Sequence, residues 1–265
     1  MTPIVSPKNP TVRHAHALLT QHRIRKKSGE TVIEGVHLLE ALLAKQNTSS
    51  ISIKQVLLSQ SALTHPEVEK LLPLLPSRAL LVLDDKLYKE IRTLGDGVDV
   101  MAVIDTPKPD FTALGDYAGD CVILDGLQDA GNIGTLLRTA CAVGIQTIIT
   151  TPNTASLWSP KVLRASMGAN FSLAIFEQCS FADITATLKT PLYATSSHTD
   201  KVIYEHDLTR PMAWVLGHEG QGVSDDFLRL ATPIALPQPG GQESLNVGVA
   251  GSVCFYEMLR QRSYA

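Results

Sequence analysis

The chain has 265 residues, 44% of them hydrophobic and 18% charged, with a formal net charge of −3. That length fits one or two domains with ample core, and no apolar run approaches a membrane span. Cys121, Cys141, Cys179 and Cys254 stand far apart without ligand spacing, and the start MTPIVSPKNP has no apolar leader core, so reduced thiols, no metal and a cytoplasmic location are expected.

The charge is unevenly spread. No acidic residue precedes Glu30, while Lys8, Arg13, Arg23, Arg25, Lys26 and Lys27 all fall in that segment. A basic arm of this kind suits a phosphate backbone, and a solvated helix face is the other reading of it.

Spacing predicts a helix over 9–22, with Val12, Ala15, Leu18 and Leu19 inward. The basic cluster follows, and Ser28-Gly29 breaks it. A strand is expected over 31–34, then Gly35, then a helix over 36–45. Strands over 51–58, 80–83 and 98–104 alternate with helices over 65–75 and 86–94. That is a small α/β layer. The stretch DTPKPDFTALGDYAG (105–119) carries two prolines and several turn formers and reads as a linker region. The division is then 1–105 for a first domain, 106–119 for the linker and 120–265 for the second.

The second half alternates again. Apolar strands are expected over 121–127, 146–150, 172–176, 192–196, 212–216 and 233–236. Helices are expected over 132–143, closed by Gly144, and over 161–167 and 181–188. Continuous apolar strands separated by helices imply a parallel sheet covered on both faces. A last helix should follow Ser244, a suitable N-cap, with Val247, Ala250, Val253, Cys254 and Met258 inward. Gly248 and Gly251 weaken that helix, which points to something packed close against it.

Ligands of such sheets sit beyond the carboxyl ends of the strands. Three polar, glycine-rich loops begin there: DGLQDAGNIG (125–134), GHEGQGVS (217–224) and PQPGGQESLN (237–246). Arg138 is the only charged residue between Asp129 and Lys161. A lone arginine on an apolar helix wants an anion, either a carboxylate of the fold or a phosphate. Glu219 suits bonding to backbone N–H groups, and His218 suits a surface place. The glycines of the second loop do not fit G-x-G-x-x-G, and no acid follows for a ribose, which argues against a nicotinamide dehydrogenase. Ser244 lies in no nucleophile elbow.

Taken together, the loops resemble the SpoU family of RNA 2′-O-ribose methyltransferases, in the knotted SPOUT superfamily. The residues that carry the resemblance are Asn132-Ile133-Gly134 with Arg138, then 216–224 (LGHEGQGVS), then Leu236-Pro237 with Ser244-Leu245-Asn246-Val247. Asn9-Pro10, the basic cluster and Glu34-Gly35 resemble the substrate-binding domain often joined to it. The resemblance implies an α/β chain with a C-terminal Rossmann-like parallel sheet tied as a deep trefoil knot, behind a small N-terminal α/β RNA-binding domain. It implies S-adenosylmethionine as methyl donor, held at Thr195, Gly217, Leu236 and Leu245, and no metal. It implies Arg138 as the central catalytic arginine, with Asn132, Glu219, Ser244 and Asn246 around it. It implies a homodimer acting on RNA, ribosomal before transfer RNA, with Arg13, Arg23, Arg25, Lys26 and Lys27 on the RNA. His218 sits where Asn is common, and Gly248 and Gly251 where Ser and Ala are common. A catalytically idle RNA-binding module is the competing class, and retention of Arg138, Asn132, Ser244 and Asn246 together argues against it.

Overall fold

Asn9 accepts the backbone N–H groups of Thr11 and Val12 at 2.9 and 3.3 Å, and Pro10 takes the first turn, where its missing donor costs nothing. In the computed structural model, which describes residues 2–45, 51–196, 199–240 and 245–263, the helix so started is α1, Pro10–Thr20. It buries Val12, Ala15, Leu18 and Leu19, the face expected from spacing. It stops earlier than the spacing predicts, because Gln21 is extended. The basic run then forms its own helix, α2, His22–Ser28.

The chain folds as two compact units, residues 1–107 with 158–171, and residues 108–157 with 172–265. In the first, β1 (Glu30–Glu34) leads to α3 (Val36–Ala44), β2 (Ile53–Ser59), α4 (Pro66–Leu71), β3 (Leu80–Leu83), α5 (Asp85–Ile91) and β4 (Val100–Asp105). The sheet order is β1-β4-β2-β3. Only β2 and β3 run parallel; β4 is antiparallel to both its neighbours. Val32, Leu57 and Met101 from the strands meet Val12 and Leu18 of α1 in one core.

The second unit begins with β5 (Cys121–Asp125), α6 (Ala130–Val143) and β6 (Thr147–Thr150). The next helix, α7 (Pro160–Ala165), belongs to the first unit. There the Thr31 hydroxyl donates to the Trp158 carbonyl at 2.7 Å, and Arg164 meets Glu34 at 3.2 Å. Then come β7 (Ala174–Phe176), α8 (Phe181–Thr187), β8 (Leu192–Thr195), β9 (Ala213–Gly217), α9 (Asp225–Leu228), β10 (Thr232–Ile234) and α10 (Val247–Ser263). The sheet order is β10-β8-β9-β5-β6-β7, and each neighbouring pair is parallel. Every residue of β5, β6 and β9 is buried, as continuous apolar strands require.

Helix α6 starts two residues before the expected Asn132. Asp129 caps it by accepting from the Asn132 N–H at 2.8 Å, and Gly144 closes it at φ 87°. Helix α10 packs against α6. A Cβ on Gly251 would lie 2.4 Å from Leu136 Cδ2 and 2.8 Å from Leu216 Cδ1, so the helix-weakening glycine is what lets the two helices approach. Two expectations for α10 need correction. Val253 is 39% exposed rather than inward, because Gly248 and Gly251 occupy the inner side. The cap of α10 is Asn246, whose Oδ1 accepts from the Val249 N–H at 3.2 Å; Ser244, expected in that place, lies outside the described residues. No helix among the described residues is long and apolar enough to cross a membrane.

Candidate active site

The register of the parallel sheet sets Asp125 beside Gly217. Both end their strands, so the loops that follow leave the sheet side by side. The loop after Gly217 turns sharply. The Gly222 N–H donates to the His218 carbonyl at 2.8 Å, and the Gly220 N–H to His218 Nδ1 at 3.0 Å. His218 therefore shapes the turn, a more specific task than the surface place expected of it. The turn comes so close to its own start that a Cβ on Gly217 would lie 2.1 Å from backbone atoms of Gly222 and Val223. Only glycine fits there.

Two carboxylates hold this loop. Glu219 accepts from the backbone N–H groups of Gln128 and Asp129 at 3.2 and 3.0 Å, and from the Asn132 amide at 3.2 Å. Burial pushes the Glu219 carboxyl up, but these N–H donors outweigh it and hold the carboxyl below its usual range. Asp125 accepts from the Ser224 N–H at 2.8 Å and the Thr151 hydroxyl at 3.1 Å. The sequence reading missed Asp125. Its signal was available: an acid at the carboxyl end of an apolar strand, where such sheets carry their sites.

Asn132 is the joint of the three loops. Its amide donates to Glu219 of the second loop, and its Oδ1 accepts from the Asn246 amide of the third at 2.8 Å. Beyond the ends of β8, β9 and β10 the loops enclose a cavity of about 450 Å³. Thr195, Gly217, Leu236, Leu245, Glu219 and Asn246 all line it. The four residues named for the cofactor from the resemblance thus face one space. Leucine side chains offer apolar wall, while Thr195, Glu219 and Asn246 offer polar edges.

Arg138 is not brought to this cavity. It is exposed on α6 and has no hydrogen bond or ion pair among the described residues. It stands six residues beyond Asn132, about 9 Å along the helix. No carboxylate among the described residues pairs with it, and its guanidinium is open there to an anion from outside. Among the basic residues, Arg13, Arg23, Lys26 and Lys27 are exposed. Arg25 is not available in the same way. Its Nη1 donates to the carbonyls of Leu18 and Leu19 at 2.6 and 3.4 Å, which closes the end of α1, and burial lowers its pKa. Among the described residues no group of three or more His, Cys, Asp or Glu could hold a metal.

Known proteins resemble this chain over most of its length. The model of the SpoU rRNA Methylase family matches residues 120–256. An uncharacterized tRNA/rRNA methyltransferase of Synechocystis is 33% identical, over 98% of this chain and 94% of that one. The 23S rRNA (guanosine(2553)-2′-O)-methyltransferase RlmP of Bacillus subtilis is 25% identical, over 97% of this chain and 99% of its own. The crystal structure of an AdoMet-bound rRNA methyltransferase from Sinorhizobium meliloti superposes with a TM-score of 0.83 at 25% identity, covering 100% of this chain and 99% of that one.

Proposed function

Because this chain belongs to the SpoU rRNA Methylase family, we propose that it transfers a methyl group from S-adenosylmethionine to a ribose 2′-hydroxyl of ribosomal RNA. The observation that carries the reading is the single cavity on which Thr195, Gly217, Leu236 and Leu245 converge, with Asn132 joining its loops. Its volume of about 450 Å³ lies in the range of small-molecule sites. When bound, S-adenosylmethionine supplies an electrophilic methyl group on a positively charged sulfur. Leu236 and Leu245 give the apolar contact for its flat ring, and the turn at Gly217 presents backbone groups to its polar parts.

The attacking alcohol must lose its proton as the O–C bond forms and the S–C bond breaks. Arginine is a poor base, since it stays protonated at any working pH. Arg138 instead holds the RNA phosphate and stabilises charge on the attacking oxygen. Asn132 and Asn246 complete the polar surround, and Glu219 keeps the loops in place. Arg13, Arg23, Lys26 and Lys27 meet the RNA backbone through the first domain.

The reading includes a homodimer, in which the exposed Arg138 serves a site completed by a second copy. Val249, Val253 and Tyr256 support it: they form an exposed stripe along α10, at 50%, 39% and 55% exposure. The reading also includes the knotted threading of the family and a cytoplasmic place of work. The test has two arms. Calorimetry should show binding of S-adenosylmethionine, and mapping of ribose methylation in total RNA from cells lacking the protein should show a missing site in ribosomal RNA. No heat of binding, or an unchanged methylation map, refutes the proposal.

A further inference from the structure

The first unit holds a second cavity, of about 380 Å³, that shares no residue with the one described above. It opens where β1 gives way to α3. Apolar side chains, among them Val36, Leu94 and Val98, make much of its wall.

Two guanidinium groups in that wall are pinned. Arg164 Nη1 donates to Glu34 at 3.2 Å and to the Thr93 hydroxyl at 3.0 Å. Arg92 donates to Asp99 at 2.8 Å and to the Gly95 carbonyl at 2.7 Å. Their charges are therefore matched within the fold, and their flat faces are fixed. The His37 ring also lines the cavity with its side chain 76% exposed, as does Met167 at 51%. Met167 stands at φ 51° because it closes α7: its N–H donates to the Arg164 carbonyl at 3.1 Å, and the Gly168 N–H donates to the Leu163 carbonyl at 3.4 Å. Flat cationic faces, an imidazole and a thioether are the surfaces on which an unstacked base lies.

Two carboxylates of the wall remain, Glu67 and Asp96, and Glu67 has His65 beside it at 3.8 Å. Asp96 lines the cavity, is exposed, and has no hydrogen bond or ion pair among the described residues. A carboxylate repels phosphate and accepts N–H groups. Guanine alone presents two adjacent donors, N1–H and the N2 amino group, to one carboxylate; adenine, cytosine and uracil each present one such position. The exposed cations of α2, at the opposite end of β1, supply the phosphate contacts that this cavity lacks.

We propose that this cavity takes one unstacked guanine of the RNA, edge-on to Asp96. The proposal rests on the RNA reading above. The test uses the full chain with S-adenosylhomocysteine added to fill the first cavity. An equimolar mixture of guanosine, adenosine, cytidine and uridine is then read by saturation-transfer NMR. Guanosine should bind about tenfold better than uridine, the scale of one bidentate pair. Asp96→Asn, on an exposed loop, replaces one acceptor by a donor and should bring guanosine down to the level of adenosine. Met167→Glu should weaken all four. Equal signals from guanosine and uridine, or a preference that survives Asp96→Asn, overturn the proposal. Failure of S-adenosylhomocysteine to bind while guanosine is still preferred would count against the methyltransferase reading and leave this site standing.

Discussion

Arg138 and Glu219 are both charged residues of the candidate site, yet their surroundings give them separable tasks. Arg138 touches neither the cavity nor any fold carboxylate among the described residues. Arg138→Ala should therefore leave S-adenosylmethionine affinity unchanged by calorimetry and lower methyl transfer by about a hundredfold or more. Glu219 faces three N–H donors. Glu219→Gln sets an amide N–H against them and should weaken cofactor binding about tenfold, for a stability loss near 1 kcal/mol at this solvent-exposed place. The pH dependence follows in sign. A carboxyl whose folded pKa is depressed stabilises the fold above its unfolded value, and that share is lost as pH falls below about 4. Cofactor affinity should fall in the same acid range in the native protein, and more gently in Glu219→Gln.

Helices α2 and α10 show how an element's neighbours reassign its residues. Four cations of the basic run look equivalent in the sequence, but Arg25 turns inward to the carbonyls that end α1. Neutralising Arg23, Lys26 and Lys27 together should reduce the salt slope of RNA binding by about two. Arg25→Ala should instead lower the midpoint of urea unfolding. Along α10, the seam with α6 has no room beside Gly251, since Leu136 and Leu216 are buried. Gly251→Val should cost about 1–3 kcal/mol by overpacking, measured by denaturant unfolding.

Across the whole molecule, burial suppresses three thiols. It raises Cys179 to about 11 and Cys254 to about 12, and Cys121 further still. At pH 8 these three should react with a thiol reagent only through unfolding, so their labelling rate should track the opening of the second unit. Rapid labelling of all three in the native protein would contradict the burial. At this scale the elements of the parallel sheet were legible as apolar runs between turn formers, because a strand covered on both faces has no polar side to interrupt it. The closure at Gly144 was legible because it acts within four residues. The break at Gln21 was not, since no Gly or Pro marks it.

By itself the sequence determined most of the segments that would be strands and helices, though not α2 or α9, and that three glycine-rich bends would leave the carboxyl ends of a parallel sheet. These follow from local spacing and turn chemistry. Only the tertiary structure decided that residues 158–171 pack with the first unit, that Asn132 joins Glu219 to Asn246, and that Arg138 stands apart from the cavity. Such facts depend on which distant surfaces meet. An asparagine amide gives no sign in its own stretch of chain of the two partners, 87 and 114 residues away, that it will bridge.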